Sequence, residues 1–583
     1  MTEEKIKKEK TSIETVRHSL SHVLAAAVLE MFPEAKLGIG PNIENGFYYD
    51  FDLPRNLVPE DLKVLEKNMR QIINRDLVFE KRDVDYGTTF EKLWQTGQVY
   101  KKELIRKLEG QPITYYDLKD VDSNEIVFSD LCAGPHVEST RELRSVGWKL
   151  DKIAGAYWLG DEKNPMMQRI YGFAFDSKDE LSSHEQTIAE AAKRDHKKLG
   201  RELDLFSFHP EAPGMPFWHE KGMVIWNQLE QLGKSIRKRY GYTEIKTPLL
   251  AKNSLWITSG HWEHYKDGMF SFDSGEEIYC LKPMDCPFNV KIYQTKSRSY
   301  KDLPIRYTEI GRNHRKEQSG ELNGLLRVQE ITQDDSHIFL REDQVFQEIS
   351  NLLKMVKEFY SKLSIEPIFF LSTRPETGYI GEIATWDLAE DSLRKVLESE
   401  KIEYGLKDKD GAFYGPKIDI NIKDALGRSW QLATIQLDFQ LPSRFGCEYI
   451  DEKGEKQTPI MIHAAAFGSF ERMIGILTEH FAGAFPLWLT PVQVKILPIA
   501  DRHFDYAKKV YDTLFDAEVR VELDDRTESV GKKIREAEMQ KIPFMLVIGD
   551  KEVEAGMVAL RKYKEGDLGQ FEVKEIIDQI KKK

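Results

Sequence analysis

The sequence predicts a multidomain α+β protein. It reads as an N-terminal α+β domain over residues 1–178, a linker helix over 179–203, a larger α+β domain on a mainly antiparallel sheet over 204–490, and a small α/β domain over 491–583. Three observations predict this. A chain of 583 residues exceeds what one hydrophobic core supports, so about three or four domains are expected. The stretch ELSSHEQTIAEAAKRDHKKLGREL (180–203) has no proline, one late glycine and many helix formers, which marks a connector. After PLWLTPVQ the pattern changes to strand–helix alternation, the mark of a separate α/β unit.

Each element follows in order. Thr11 and Glu14 stand in capping-box spacing, and Ile13, Val16, Leu20, Leu24, Ala27 and Met31 recur at helical intervals, so a helix is predicted over 11–31. His18 and His22 share one face of it, because side chains four residues apart are neighbours. Together with Cys132 and His136 of CAGPH (132–136) they look like the ligand set of a zinc hydrolase. Turn-rich GIGPNIENGFYYDFDLP follows the first helix. In the large domain RSWQLATIQLDF (428–439) is β-rich and SFERMIGILTEHFAGAF (469–485) is helical. VKILPIA, EVRVELD, FMLVIGD and VALRKY, with helices between them, build the last domain of about 90 residues.

Composition removes several function classes. Charged residues make up 31% of the chain, and the longest greasy stretch, VLAAAVLEMF, is too short for a membrane span. The opening MTEEKIKKEK has mixed charge and no apolar core, unlike a secretory signal. Four cysteines (Cys132, Cys280, Cys286, Cys447) cannot form a disulfide framework in so long a chain, which favours a reducing, cytoplasmic location. The net charge of −13 argues against non-specific nucleic-acid binding, but KRDHKKLGR (193–201) and RKRYGY (237–242) are local basic surfaces that keep RNA open.

Nucleotide chemistry has to be sought by its parts. LGKS (232–235) ends like a P-loop, but Gln228 stands where the first glycine should be and the stretch reads as helix interior. No G-x-G-x-x-G follows a strand. Two arginines remain: Arg315 in GRNHRKEQSG, between an apolar strand and a loop, and Arg472 in GSFERMIGIL, at a strand-to-helix junction. A guanidinium fork suits phosphate, and a nearby glycine lets a ligand approach the backbone. Taken singly, each is also an ordinary surface arginine.

The motifs around these residues carry a resemblance. EIKTPLL with Pro248, HRKEQSG and GSFERMIGIL resemble motifs 1, 2 and 3 of the class II aminoacyl-tRNA synthetases. KPMDCP (282–287), TQDDSHIF (332–339), YGPKIDI (414–420), QLDFQLPSRF (436–445) and IMIHAAAFGSFER (460–472) are together similar to the threonyl-tRNA synthetase family. HSLSH (18–22), CAGPH and AGAYWLGDE (154–162) resemble the editing domain of that family. Nearly the whole chain is covered in the family's order, and the chain is identified as a member. The fold this implies is a class II antiparallel-sheet catalytic domain, an α+β editing domain and an α/β anticodon-binding domain.

What the resemblance implies is specific. Cys286, His337 and His463 match three zinc ligands; read alone they are a buried thiol and two ordinary histidines. Three protein ligands leave zinc an open position, suited to a substrate hydroxyl and amino group, which separates threonine from near-isosteric valine. Arg315 would hold the α-phosphate of ATP, Arg472 the γ-phosphate, and Glu317 the adenine, with Mg2+ bridging the phosphates. Met284, Gln333, Asp335, Tyr414 and Gln436 would shape the amino-acid pocket. Lys417 and Gln431 would lie near phosphates and carboxylate, and His261 would help the terminal ribose 2′-hydroxyl attack; for each polar residue a structural hydrogen bond is the alternative. Glu552 and Arg561 would contact anticodon bases, or pair with each other in a salt bridge. Motif 1 implies a homodimer.

The implied function is to activate L-threonine with ATP, transfer it to tRNA(Thr), and hydrolyse mischarged Ser-tRNA(Thr). Serine keeps both groups zinc reads and lacks only a methyl, worth about 10–200-fold, so a second sieve is required. His18, His22, Cys132 and His136 would line it without a metal, with Lys101 and Asp130 nearby. Two other readings are an enzyme activating an amino acid for another acceptor, which the anticodon-type domain counts against, and a tRNA-like RNA-binding regulator, which would have lost Arg315 or Arg472. The chain departs from the family in having only 16 residues before RHSLSH, where a small ubiquitin-like domain is usual. It also departs in CPFNV, HRKEQSG and VQEITQDD, which spare the ligands and Arg315.

Overall fold

The structure, a computed structural model, describes residues 11–424 and 427–582; the segment 1–10, read above as unlike a signal, lies outside them. The chain divides into two compact units, Met1–Ala189 and Glu190–Lys583, so the division falls inside the predicted linker.

The first unit is built around α1 (Ile13–Met31). Its cap is Ser12, whose hydroxyl accepts from the Thr15 N–H at 3.3 Å, not Thr11 as the spacing predicts. Thr11 instead donates to Glu142 at 2.6 Å. Twelve residues from Val16 to Val28 are buried on nearly every side of α1, so the apolar run Val23–Val28 is spent on the core of this unit. Against α1 lie β1 (Gly46–Asp52) and α2 (Pro59–Asn74). Next come β2 (Val78–Val84), α3 (Tyr86–Gln95), α4 (Val99–Arg106), β3 (Ile113–Lys119) and β4 (Ile126–Leu131), then the long strands β5 (Gly147–Tyr157) and β6 (Met166–Phe175). β1, β6 and β5 form one antiparallel sheet and β2, β3 and β4 another.

The linker is a pair of helices, not one. α5 (Lys178–Arg194) buries no residue, and α6 (His196–Glu202) starts after Asp195. The Asp195 carboxylate accepts from the Lys197 N–H at 2.7 Å, and this N-cap interaction competes with helix continuation. It interrupts an otherwise helix-forming run.

The second unit holds the predicted antiparallel sheet. α7 (Glu220–Arg239) contains LGKS in its interior, as its periodicity predicts. The sheet strands are β7 (Thr243–Glu244), β8 (Ile305–His314), β9 (Glu330–Leu340), β10 (Pro367–Ser372), β11 (Tyr404–Lys407), β12 (Lys417–Lys423), β13 (Ser429–Asp438) and β14 (Ile460–Ser469). Their order is β7-β8-β9-β14-β13-β12-β10-β11, antiparallel except for the two edge pairs. Helices α8 (Cys286–Tyr293), α9 (Val345–Lys362), α10 (Ile383–Ser399) and α11 (Phe470–His480) accompany it. Ile338, Ile435, Ile462, Phe467, Phe470 and Leu353 belong to its main core, which packs helices on one face and leaves the other for polar chemistry.

The C-terminal part is the predicted α/β sheet with its own core of Val494, Ile496, Leu546 and Leu560. Its strands are β15 (Val494–Pro498), β16 (Val521–Leu523), β17 (Phe544–Ile548), β18 (Val558–Lys562) and β19 (Gly566–Phe571), in the order β16-β15-β17-β18-β19. The first three are parallel and the last two antiparallel.

Candidate active site

Strand periodicity explains the main site. Gln333, Asp335 and His337 alternate along β9 and so point to one face. His337 stands opposite His463 on β14, His463 opposite Gln436 on β13, and Gln436 opposite Lys417 on β12. One row across four strands therefore carries four of the predicted residues. Above this face is a cavity of about 480 Å3. It is lined by Cys286, His337, His463, Asp335, Gln333, Gln436, Met284, Tyr414 and His261, and also by Arg315, Arg472 and Gln431. His264, Tyr265, Phe413 and Thr434, which the sequence did not single out, complete the wall.

At one end the ligand atoms of Cys286, His337 and His463 all lie within 4.8 Å of one another. Both ring nitrogens of His337 are buried without a hydrogen-bond partner, an arrangement that is costly in a protein interior. The His463 Nε2–H donates to Asp438 Oδ2 at 2.9 Å, which leaves Nδ1 as the free lone pair, in the manner of metal-bound histidines. Burial, with Asp335, Asp285 and Asp438 adding to it, pushes the Cys286 thiol well up in the absence of a cation, and burial, with His463 adding, holds His337 well below the imidazole range. A soft thiolate and two neutral imidazoles fit zinc, and a cation there would satisfy one of the two orphaned His337 nitrogens.

Beside this trio sits an excess of buried carboxylate. Lys282 pairs with Asp285 at 2.6 Å and lies 3.7 Å from Glu309. Burial and the Asp285 charge push Glu309 up to about 7, and burial, Asp285 and Glu309 hold Asp335 well above the carboxylate range. Such a cluster attracts a cationic group. Asn313 donates to both Asp285 and Gln333 at 3.0 Å, and the Tyr414 hydroxyl to Gln436 at 2.8 Å, so the polar wall is fixed before any ligand arrives.

The other end is cationic. Arg472 donates from Nε to Leu326 O at 3.0 Å and from Nη1 to Gln431 O at 3.1 Å. Burial lowers its affinity for the proton, and the charges of Arg315 and Arg327 add to that; a site where guanidiniums crowd together is complementary to phosphate. Arg315 is anchored from Nε to Pro283 O at 3.2 Å. His261, 3% exposed, bonds through Nδ1 to Ser259 Oγ at 2.8 Å, while its Nε2 has no partner. Burial, with His463 adding, brings it down to about 4, so it is a neutral base.

Two predicted residues do not line the cavity. Glu317 is bound by Arg327, Nε to Oε2 at 2.9 Å, and Lys417 pairs with Asp419 at 3.0 Å and Asp410 at 3.4 Å. Asp419, unnoticed in the sequence, is fully buried and also accepts from Gln431 at 2.6 Å.

The N-terminal cluster assembles as predicted, with its four ligand atoms within 4.8 Å of each other. Its hydrogen bonds assign its protons. The Pro135 carbonyl accepts from His18 Nδ1–H at 3.2 Å. Ser19 Oγ donates to Thr15 O at 2.9 Å and so accepts from His136 Nδ1–H at 3.1 Å. Both imidazoles thus turn an Nε2 lone pair to Cys132 Sγ, each at 3.3 Å, and one thiol proton can satisfy only one of them. Burial pushes Cys132 up to about 11 and holds all three histidines below the imidazole range. Asp130 is pinned by Lys101 at 2.6 Å and by the Tyr49 hydroxyl at 2.5 Å, 3.9 Å from His22 Nε2. Ser19 and Tyr49 escaped the sequence reading because they act behind the cluster, Ser19 through His136 and Tyr49 through Asp130.

In the C-terminal part Glu552 accepts from the Gly549 N–H at 3.0 Å and from Gln570 at 2.7 Å, while Arg561 lies 3.8 Å from Asp567. Each has its own partner, so the salt bridge between the two is not what the fold builds. A cavity of about 440 Å3 in this domain is lined by Ile499, Phe504, Asp525, Arg526, Thr527 and Lys533, none of them predicted.

Comparison with known proteins agrees with this geometry. Residues 269–481 match the tRNA synthetase class II core domain (G, H, P, S and T), residues 493–583 an anticodon binding domain, and residues 113–171 the threonyl and alanyl tRNA synthetase second additional domain. The last match includes Asp130, Cys132 and His136. The chain is 48% identical over 567 residues to the threonine–tRNA ligase of Clostridium tetani and 50% identical over 565 residues to that of Desulforamulus reducens, each alignment covering 97% of this chain and 87% of the relative. Among solved structures, the RNA binding domain of threonyl-tRNA synthetase from Cryptosporidium parvum superposes with a TM-score of 0.64 at 38% identity, covering 67% of this chain and 98% of that one. The chain belongs to the threonine–tRNA ligase family of class II aminoacyl-tRNA synthetases.

Proposed function

We propose that the chain activates threonine with ATP, esterifies it to the 3′ end of tRNA(Thr), and hydrolyses Ser-tRNA(Thr) at a second site. The observation that carries the reading is the polarity of the cavity above the antiparallel sheet, which joins a Cys286–His337–His463 trio and a carboxylate cluster to a pair of arginines. Zinc held by that trio would supply an open coordination position that threonine's hydroxyl and amino group can fill and valine's methyl cannot.

The chain's own residues do the rest. Asp335 accepts a hydrogen bond from the substrate amino group, and Tyr414 and Gln436 orient it. Arg315 stabilises charge growing on the α-phosphate as threonine's carboxylate attacks, and Arg472 restrains the γ-phosphate. Magnesium bound with ATP would add charge neutralisation at the phosphates. His261 Nε2, neutral and unpartnered, accepts the proton released as the ribose hydroxyl attacks. Glu317 releases Arg327 to meet adenine, and Lys417 with Asp419 holds Gln431 in place.

At the N-terminal site, the lone pair of His18 or His136 that the thiol proton leaves unmet takes a proton from water attacking the seryl ester, with Lys101 and Asp130 fixing the wall. This division of labour assigns residues 1–178 to editing, 179–203 to the linker, 204–490 to aminoacylation and 491–583 to the anticodon, with Glu552, Arg561 and the cavity beside Phe504 and Lys533 as the base-contacting candidates. Exposed Leu249 and Leu250 beside Pro248, 43% and 41% exposed, support a homodimer through motif 1. Four unpaired cysteines support a cytoplasmic site, and among the described residues no helix is long and apolar enough to cross a membrane.

ATP–pyrophosphate exchange with threonine, serine and valine tests the reading. Exchange with threonine and serine but not valine is the expected result; exchange with valine equal to threonine contradicts it.

A further inference from the structure

His196 opens α6 and is 1% exposed. Its Nδ1–H donates to Glu479 Oε1 on α11 at 2.7 Å, and its backbone N–H reaches the same oxygen at 3.3 Å. Arg428 holds the other Glu479 oxygen. With the proton on Nδ1, Nε2 is an acceptor, and it takes the Leu325 N–H at 3.0 Å. Asp195, His196 and Glu479 have the spacing of a metal site, but both ring nitrogens are engaged by protein partners, so no lone pair is left for a cation.

Leu325 lies in the single turn Gly324–Leu326, buried against α11. The carbonyl of the next residue, Leu326, is one of the two that aim the Arg472 guanidinium. The other, Gln431, sits in sheet strand β13 and is held by the ladder. Two features show that the turn's place is set by close contact with His196. Gly324 has φ +51°, and a Cβ there would lie 2.2 Å from His196 Nε2. Gly475 on α11 leaves room for Leu325, whose Cβ would otherwise be met at 3.1 Å. At Gly324 a side chain would collide with the imidazole, and at Gly475 one would press Leu325 back by a few tenths of an ångström.

We propose that His196 is a positioning residue for Arg472: it fixes the Gly324–Leu326 turn so that the Leu326 carbonyl orients the arginine toward the terminal phosphate of ATP. The inference rests on the ATP-dependent reading above. It predicts an effect on ATP and not on threonine, because the trio Cys286, His337 and His463 makes no contact with this clasp.

Pyrophosphate exchange with ATP and threonine varied separately tests it. His196→Gln keeps an acceptor near the Nε2 position, whereas His196→Asn reaches only Glu479. His196→Asn should raise KM for ATP about tenfold, the scale of one lost buried acceptor, with KM for threonine unchanged, and His196→Gln should recover most of the loss. In the double variant His196→Asn/Arg472→Ala, KM for ATP should match that of Arg472→Ala alone, since both act on one interaction. If Arg472→Ala leaves KM for ATP unaltered, the ATP reading itself fails. If Arg472→Ala raises it while His196→Asn does not, or if the two effects multiply, or if His196→Asn raises both KM values together, the positioning role is overturned. Should His196→Asn not fold, Gly324→Ala crowds the same contact from the other side and must give the same ATP-selective rise; a parental KM for ATP in that variant counts against the proposal.

Discussion

The two Cys/His clusters have similar ligand sets and opposite internal economies. At the N-terminal site Cys132 lies within hydrogen-bond reach of His18 and His136, and their outer nitrogens are bound by Pro135 and Ser19. Only His22 Nδ1 in that cluster is buried without a partner. At the catalytic site neither nitrogen of His337 has a partner. In the first cluster the outer ring nitrogens of His18 and His136 are held by protein acceptors, which leaves neutral bases facing the thiol; in the second the bare His337 nitrogens fit a trio that a cation would complete. Residue type and spacing alone do not tell a general-base pocket from a metal centre. The hydrogen bonds around the ring nitrogens do.

The largest effect that sharpens this comparison is expected at the incomplete cluster. Cys286→Ala should lose threonine activation by about a thousandfold or more, since the substrate-binding cation goes with the thiolate; pyrophosphate exchange reads it. Arg315→Ala should reduce the rate constant for activation about a hundredfold or more through lost charge stabilisation, with serine and threonine affected alike.

At the self-satisfied cluster the effect should be selective. His18→Ala or Cys132→Ala should lower hydrolysis of preformed Ser-tRNA about a hundredfold, as removal of a general base does, and leave threonine charging nearly intact. Loss of charging in these variants would break the two-site account.

The smallest effect concerns pH. His18, His22 and His136 are all held below the ordinary imidazole range by burial, so on unfolding they take up protons near pH 6.5 that the fold refuses. Their contribution to stability is therefore present above about pH 6.5 and is lost as pH falls below it. Hydrogen exchange in α1, corrected for intrinsic rates, should speed up from pH 7 to pH 5, and His136→Asn should flatten that dependence.

Much of the fold was legible because it rests on local periodicity. The α1 stripe, the LGKS helix interior and the four C-terminal strands lie where their patterns put them. The linker break was not, because helix propensity summed over the stretch hides one capping aspartate at Asp195. Site residues inside dense motifs were legible too, and most converge on one cavity. What the motifs could not show was the support beneath them. Asp419 under Gln431, Asp438 behind His463 and Tyr49 behind Asp130 act through pairings set by register and fold. Glu552 had the right residue type for a base contact, but its carboxylate also caps the Gly549 N–H, a local use that its spacing to Gly549 allows.

The central claim is that one Cys/His cluster requires a cation and the other does not. Metal content per chain, measured on the purified full-length protein and on Cys286→Ala and Cys132→Ala, tests it most directly. The account predicts about one zinc per chain, lost in Cys286→Ala and retained in Cys132→Ala. Two zinc ions per chain, or loss of the single ion in Cys132→Ala with retention in Cys286→Ala, would contradict it.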